Sequence, residues 1–593
     1  MTTYCYQPLS HQRAVRLIIF HPSLEDNAPL SCSLVETSLD QPEDYYALSY
    51  TWGGETPSQP MFIHDDAASD TSESSTATIL VTPNCATALR RLRKLVQGTG
   101  TGIWVDAVCI NQAETEEKNV QVSMMADIYR QAKFAIVWLG EEWAPKDMKT
   151  ISFLSHRRLA WIEDLRKPPS SGFEKILPKD LKFWISDMAS RTFVKACRDK
   201  ESLELLCDAP YWTRAWTLQE VAHVNVKVLC QDSQVIGLNL VYKALDMFDN
   251  GHDNIRSEMW FHQDVFNRAQ KPHLLFVFRN IHLYRAADFI SMKTSDPRDK
   301  VFALRSQYPH TFGKVEVDYN RCAASIFTEA TKYMLQGHES SNVVYEASRW
   351  SALKDLPSWA VDWAGNDIPE RFWNYRSLAF MFKPSRTSQY RCRFSEDNKK
   401  LYLEGRILGG VDSAHIGPRL HHPSEPEAKD RRTCSPAVAN AVLGAISIWI
   451  SELSAPNAKD SREKPVASPD QTRRMQSFTH LISLLSFESR GVRLRRKPRA
   501  VKIKHWKASQ DEDFADYFRT GRAFFTTNGT CGIGPCGLEP DDLICVFAGL
   551  TLPFIVRPQG SSFVLVGPSI IDGVMEGEYW PEDESQLTEF EII

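Results

Sequence analysis

The N-terminal third of the chain alternates two kinds of hydrophobic pattern. Short runs rich in β-branched and aromatic residues at Val15–Phe20, Leu30–Val35, Tyr46–Tyr50 and Ile79–Val81 predict strands. Pro83-Asn84 opens a segment whose Leu89, Leu92 and Val96 share one helical face, at i, i+3 and i+7. Ile103–Ile110 is apolar apart from Asp106 and predicts a further strand. Glu114, Glu116 and Glu117 suit the start of a helix, and Val120, Met124, Ile128 and Ala132 then recur every four residues. Phe134–Leu139 is continuously apolar, the pattern of a strand covered on both faces. Trp216, Leu218 and Val221 mark a later helix, and Val226–Leu229 returns to strand character.

This order predicts an α/β domain with a mostly parallel sheet and helices on both faces. Ligands bind such sheets outside the carboxyl ends of the strands, so polar residues just past strands are the first place to look. From 238 to about 380 the pattern is mainly helical. Leu401–Asp412 and 522–571 alternate apolar and polar residues, with turn signals at Asn528-Gly529, Gly534-Pro535 and Gln559-Gly560. They predict a small antiparallel β-unit. Segments 64–76, 417–435 and 455–472 read as loops by composition. The expected division is 1–44 as leading strands, 45–237 as the α/β domain, 238–400 as a helical region and 401–593 as a β-rich unit with a basic insert.

Composition narrows the class without changing this picture. The 593 residues carry 69 Lys+Arg against 74 Asp+Glu, a net charge of −5, with 43% hydrophobic residues. That mixture suits a folded multidomain protein and excludes a globally basic nucleic-acid coat. The start, MTTYCYQPLSHQRAVRL, has no apolar h-region, and Ala441–Ile450 is too short to span a bilayer. A cytoplasmic location is expected. The 13 cysteines show no zinc-site spacing, and no metal is expected. Arg490–Lys507 holds nine basic and no acidic residues, which reads as a solvated segment, a nuclear-localisation signal or a contact for an anionic surface.

Two readings stay open for several polar positions. Asp106, Asn111 and Gln112 either cap the next helix or touch a ligand. Glu220, on a helix beside apolar positions, reads by itself as a solvated or salt-bridged residue. Cys109 reads as a buried thiol, since no motif marks a His partner. Ser295-Asp296-Pro297-Arg298-Asp299 reads as a helix start.

Four motifs then coincide in order. YYALSYTWGG (45–54), IWVDAVCINQ (103–112), MADIYRQAKFAIVWLG (125–140) and RAWTLQE (214–220) resemble the fungal heterokaryon-incompatibility (HET) domain. SDPRDKVFAL (295–304), VDYN (317–320) and LPSWAVDW (356–363) resemble segments that follow it. The resemblance implies an effector of non-self recognition that triggers cell death. It also implies a partner, either another incompatibility or immune-receptor protein or a second copy.

The stretch Tyr211–Glu220 is in turn similar to a motif of Toll/interleukin-receptor (TIR) domains, with Thr217 where those carry Cys. That likeness implies a TIR/flavodoxin-like fold and NAD as a substrate rather than a cofactor. Glu220 would then be catalytic. Ser49, Tyr50, Trp52, Gly53, Asp106 and Asn111 would line the pocket, with Trp52 as a stacking face and Gly53 allowing close backbone approach. The competing class is a non-enzymatic module that signals through HET–HET contacts.

Overall fold

Ten strands assemble into one sheet in the computed structural model, and three of them, Thr2–Thr3, Gln59–His64 and Val235–Gly237, are not among the segments that the pattern marks. The structure describes residues 2–64, 76–142, 208–242, 292–337, 341–347, 351–364, 382–417, 472–481 and 521–593, apart from isolated positions within those ranges. The loops expected at 64–76, 417–435 and 455–472, the basic run 490–507 and much of the helical region after 242 lie largely or wholly outside these residues.

The strands are β1 (Thr2–Thr3), β2 (Ala14–Phe20), β3 (Leu30–Ser38), β4 (Tyr45–Tyr50), β5 (Gln59–His64), β6 (Thr76–Val81), β7 (Gly102–Trp104), β8 (Phe134–Trp138), β9 (Val226–Leu229) and β10 (Val235–Gly237). Their order is β1-β6-β5-β3-β2-β7-β4-β8-β9-β10. β7, β4, β8 and β9 are mutually parallel neighbours, with Tyr46 opposite both Ile103 and Phe134 and Val137 opposite Val228. The pairs β2–β3, β5–β6 and β9–β10 are antiparallel. The expected mostly parallel sheet is therefore corrected to a mixed one, because alternation reveals strands without revealing their direction.

Helices cover this sheet where the periodicity placed them. Helix α1 (Pro83–Val96) starts at Thr82, whose hydroxyl accepts the Cys85 N–H at 3.2 Å, with Pro83 in its first turn. Its Leu89, Leu92 and Val96 are buried, as their spacing requires. The expected strand Ile103–Ile110 is corrected: after β7 the chain makes one helical turn, α2 (Asp106–Cys109), with the Cys109 N–H bonded to the Val105 carbonyl at 2.8 Å. A continuous apolar run fits a wholly enclosed helical turn as well as a strand. Helix α3 (Thr115–Gln131) begins with Glu116 and Glu117 in its first turn. Glu117 holds Arg16 of β2 through two contacts, at 2.6 and 2.9 Å. Two short helices, α4 (Thr217–Val221) and α5 (Asp299–Phe302), complete this unit, which among the described residues runs to Arg321.

The second unit carries helix α6 (Ala323–Gln336) and nine strands. These are β11 (Cys392–Phe394), β12 (Leu401–Ile416), β13 (Gly521–Thr526), β14 (Cys531–Pro535), β15 (Leu543–Phe547), β16 (Phe554–Gln559), β17 (Ser562–Pro568), β18 (Ile570–Ile571) and β19 (Thr588–Ile592). β12 pairs with β19 along its first half and with β15 beyond it, while β15–β16, β16–β17 and β17–β19 complete the circuit. The five strands form a closed ring, which removes their open edges. Asn528-Gly529 and Gln559-Gly560 are the turns expected, with Gly529 at φ 78° and Gly560 at φ 65°. Gly534-Pro535 is instead the end of β14.

Candidate active site around Glu220

Two parallel strands end side by side, and their ends bring together most of the chemistry in the first unit. β4 finishes with Ser49 and Tyr50, and Asp106 stands just beyond β7. From β4 the chain returns toward β5, while from its other neighbour β8 it goes on toward β9, so the connections diverge at the end of β4, a switch point of the kind where α/β sheets hold ligands. Helix α4 supplies Glu220, and the 3₁₀ turn Pro210–Thr213 before it supplies Tyr211.

The Ser49 hydroxyl donates to the Glu220 carboxylate and shares a 2.6 Å hydrogen bond with the Tyr211 hydroxyl. All three side chains are enclosed: Ser49 is 1%, Tyr211 0% and Glu220 4% exposed. Arg214 donates to the Tyr50 carbonyl at the end of β4 and acts electrostatically on both Glu220 and Asp106. Tyr129 reaches the site from α3, its hydroxyl bonded to the Leu48 carbonyl at 2.9 Å.

Burial dominates the ionisation of this cluster. It pushes the Glu220 carboxyl up to about 7, against the opposing pull of Arg214 and the Ser49 hydrogen bond, and the Asp106 charge adds to the rise. Asp106 is also raised by burial, with Arg214 opposing. The phenols of Tyr50, Tyr129 and Tyr211 are driven far above their ordinary value by the same desolvation.

Among the described residues, two polar atoms here have no hydrogen-bond partner, the Tyr50 hydroxyl and the Trp52 indole nitrogen. The first lies toward Cys85 and the second toward Asp106.

Comparison with known proteins accords with this architecture. Residues 45–220 match the heterokaryon incompatibility protein (HET) family, and 504–590 match the Het-6 beta-barrel domain. The chain is a HET-domain-containing protein. It is 21% identical, over 98% of its own length and 96% of the relative's, to "Heterokaryon incompatibility protein 6, OR allele" of Neurospora crassa. No solved structure matches it.

The HET domain gathers some of the anticipated residues and separates others. Glu220, Ser49, Tyr50, Trp52 and Asp106 belong to one neighbourhood. Asn111 does not join it: its side chain accepts the Ala113 N–H at 3.3 Å and its own N–H bonds Glu117 at 2.7 Å, so it shapes the α2–α3 turn. Gly53 is an exposed turn residue at φ 66°, followed by Gly54 at φ 72°, and its freedom serves the loop conformation. Cys109 is a buried thiol pushed up to about 12, as its apolar setting implied.

Tyr129, Tyr211 and Arg214 are members that residue-type reasoning passed over. Tyr211 and Arg214 share a motif with Glu220, while Tyr129 sits one position from the α3 stripe at Ile128. A polar-tipped ring beside a buried helical face was the available signal. Among the described residues there is no cluster able to hold a metal ion, and no helix long and apolar enough to cross a membrane.

Proposed function

We propose that this chain is an effector of heterokaryon incompatibility whose Glu220 centre cleaves the nicotinamide–ribosyl bond of NAD and so triggers cell death. The observation that carries the reading is the convergence of Ser49, Tyr211 and Glu220, with Arg214 and Asp106 beside them, at the carboxyl ends of parallel strands. In this scheme the C–N bond breaks, nicotinamide leaves with the electron pair, and water adds to the ribosyl carbon and loses a proton. The leaving group is already cationic, so one carboxylate suffices, in contrast to the carboxyl pair of ordinary glycosidases. Ionised Glu220 stabilises the positive charge that develops on the sugar. Ser49 aims the carboxylate and Arg214 favours its ionised form.

The near-complete enclosure of Glu220 supports a second reading. Here the carboxyl is an internal strut, and the protein signals through contacts with another incompatibility protein or a second copy of itself. Glu220→Gln separates the two. Purified, oligomerised wild type should consume NAD, and the variant should lose ~10²–10³ of the rate. Equal NAD loss by both would remove Glu220 from the chemistry. No NAD loss by either, with cell death abolished only in the variant, would favour the signalling reading.

A further inference from the structure

Glu220 is carried by a helix of five residues, too short to hold its own shape. Ser49 restrains one side. Further restraints come from residues 292–321, more than seventy positions downstream and outside the HET match. The Lys293 N–H donates to the Thr213 carbonyl at 2.5 Å, and the Lys293 carbonyl accepts the Ala215 N–H at 3.1 Å, which brackets Arg214. Gln219, next to Glu220 and 4% exposed, donates to the Phe302 carbonyl at 2.9 Å.

Behind this contact stands a second layer. The Tyr319 hydroxyl donates to Asp299 at 2.6 Å, and Asp299 also faces the indole of Trp216, the residue preceding α4. Arg298 clamps the chain by pairing with Asp296 at 2.6 Å and donating to the carbonyls of Tyr319 and Arg321. The Tyr319 N–H reaches Asn119 of α3 at 2.9 Å, and Lys118 lies 4.0 Å over the Tyr319 ring. The SDPRD stretch is thus more than a helix start, since each of its acidic and basic side chains is spent on fixing this strap.

We propose that residues 292–321 are a working part of the Glu220 centre, with Gln219, Asp299 and Tyr319 as positioning residues, so that the functional HET unit extends to Arg321. The inference rests on the reading of Glu220 as the group that acts. Among the described residues, the charged and titratable groups around Glu220 are Arg214, Asp106, Tyr129 and Tyr211, and of these Arg214 is the one the strap brackets directly.

The test uses the full chain with Tyr319→Phe and Gln219→Leu. Val96→Ala, at the far end of α1, serves as a control for lost stability alone. Infrared difference spectra against Glu220→Gln report the pH at which the Glu220 carboxyl ionises, and melting temperature is read in parallel. Both strap variants should move that midpoint by about 1 pH unit, because Arg214 and Ser49 no longer meet the carboxyl in one fixed geometry. Val96→Ala should lower the melting temperature and leave the midpoint in place. An unmoved midpoint in both strap variants, with lowered melting temperature, would make 292–321 ordinary scaffolding and overturn the proposal. If Gln219→Leu does not fold, Tyr319→Phe, which loses one oxygen, decides. A shifted midpoint in a protein that consumes no NAD would uphold the positioning role while removing the NAD reading.

Discussion

Glu220 shows how far one side chain's setting can depart from what its neighbours in sequence suggest. A helical Glu among apolar positions such as Leu218 and Val221 reads as solvated or salt-bridged, yet this carboxyl is 4% exposed and raised to about 7. The folded state therefore holds a proton that the unfolded chain, with a carboxyl near 4.5, releases. Stability contributed by that proton is present in full below about pH 4.5 and is lost as pH rises through about 7. Replacing Glu220 by Gln removes the titration and keeps an acceptor for Ser49. The stability of the variant relative to wild type should therefore rise between pH 5 and pH 8, by about 3 kcal/mol at most. Denaturant titrations at both pH values measure it, and a difference that stays flat would show that the carboxyl ionises as it does in water. The burial was not legible in the sequence because it depends on Ser49 and Tyr211, the first of them 171 positions away.

At the scale of elements, the strands were largely legible and their partners were not. Val226–Leu229 stands as the pattern placed it, and Tyr45–Tyr50 differs from expectation by one residue. Pattern identifies which residues lie on one face, but pairing is decided by segments far apart, as when β1 lies beside β6. The same holds for the ring in the second unit, whose closure turns on a single position. Gly405 faces Thr588 of β19 and Phe547 of β15, where β12 passes from one partner to the other. A methyl group on Gly405 would lie 2.6 Å from the Val546 carbonyl oxygen and 2.7 Å from the Phe547 ring. Backbone cannot yield there without opening the circuit. Gly405→Ala should destabilise the ring by ~1–3 kcal/mol, seen as a lower midpoint in denaturant. An unchanged midpoint would mean that β12 and β15 are less closely apposed than this geometry requires.

Among the described residues, each of the two units has a core of its own. One lies against the mixed sheet, where α1 contributes Leu89 and Leu92, both fully buried. The other lies in the second unit, with Phe524, Ile544, Val546, Ile555 and Val566 among its members. Composition announced more than one domain, and the motifs marked both ends of the HET segment. The membership of 292–321 in the first unit was hidden, because a strap held by side-chain bonds and an isolated backbone bridge leaves no periodic trace. Chains with separate cores commonly depart from a single two-state transition. Calorimetry of the full chain should therefore resolve two transitions, and each should answer to its own variant. Leu92→Ala removes buried methyl groups from the first core, at a cost of ~2–5 kcal/mol, and should lower only one transition. Gly405→Ala should lower only the other. If either substitution displaced both transitions equally, the two cores would be melting as one cooperative body, and the division at Arg321 would be a boundary of contacts without being a boundary of stability.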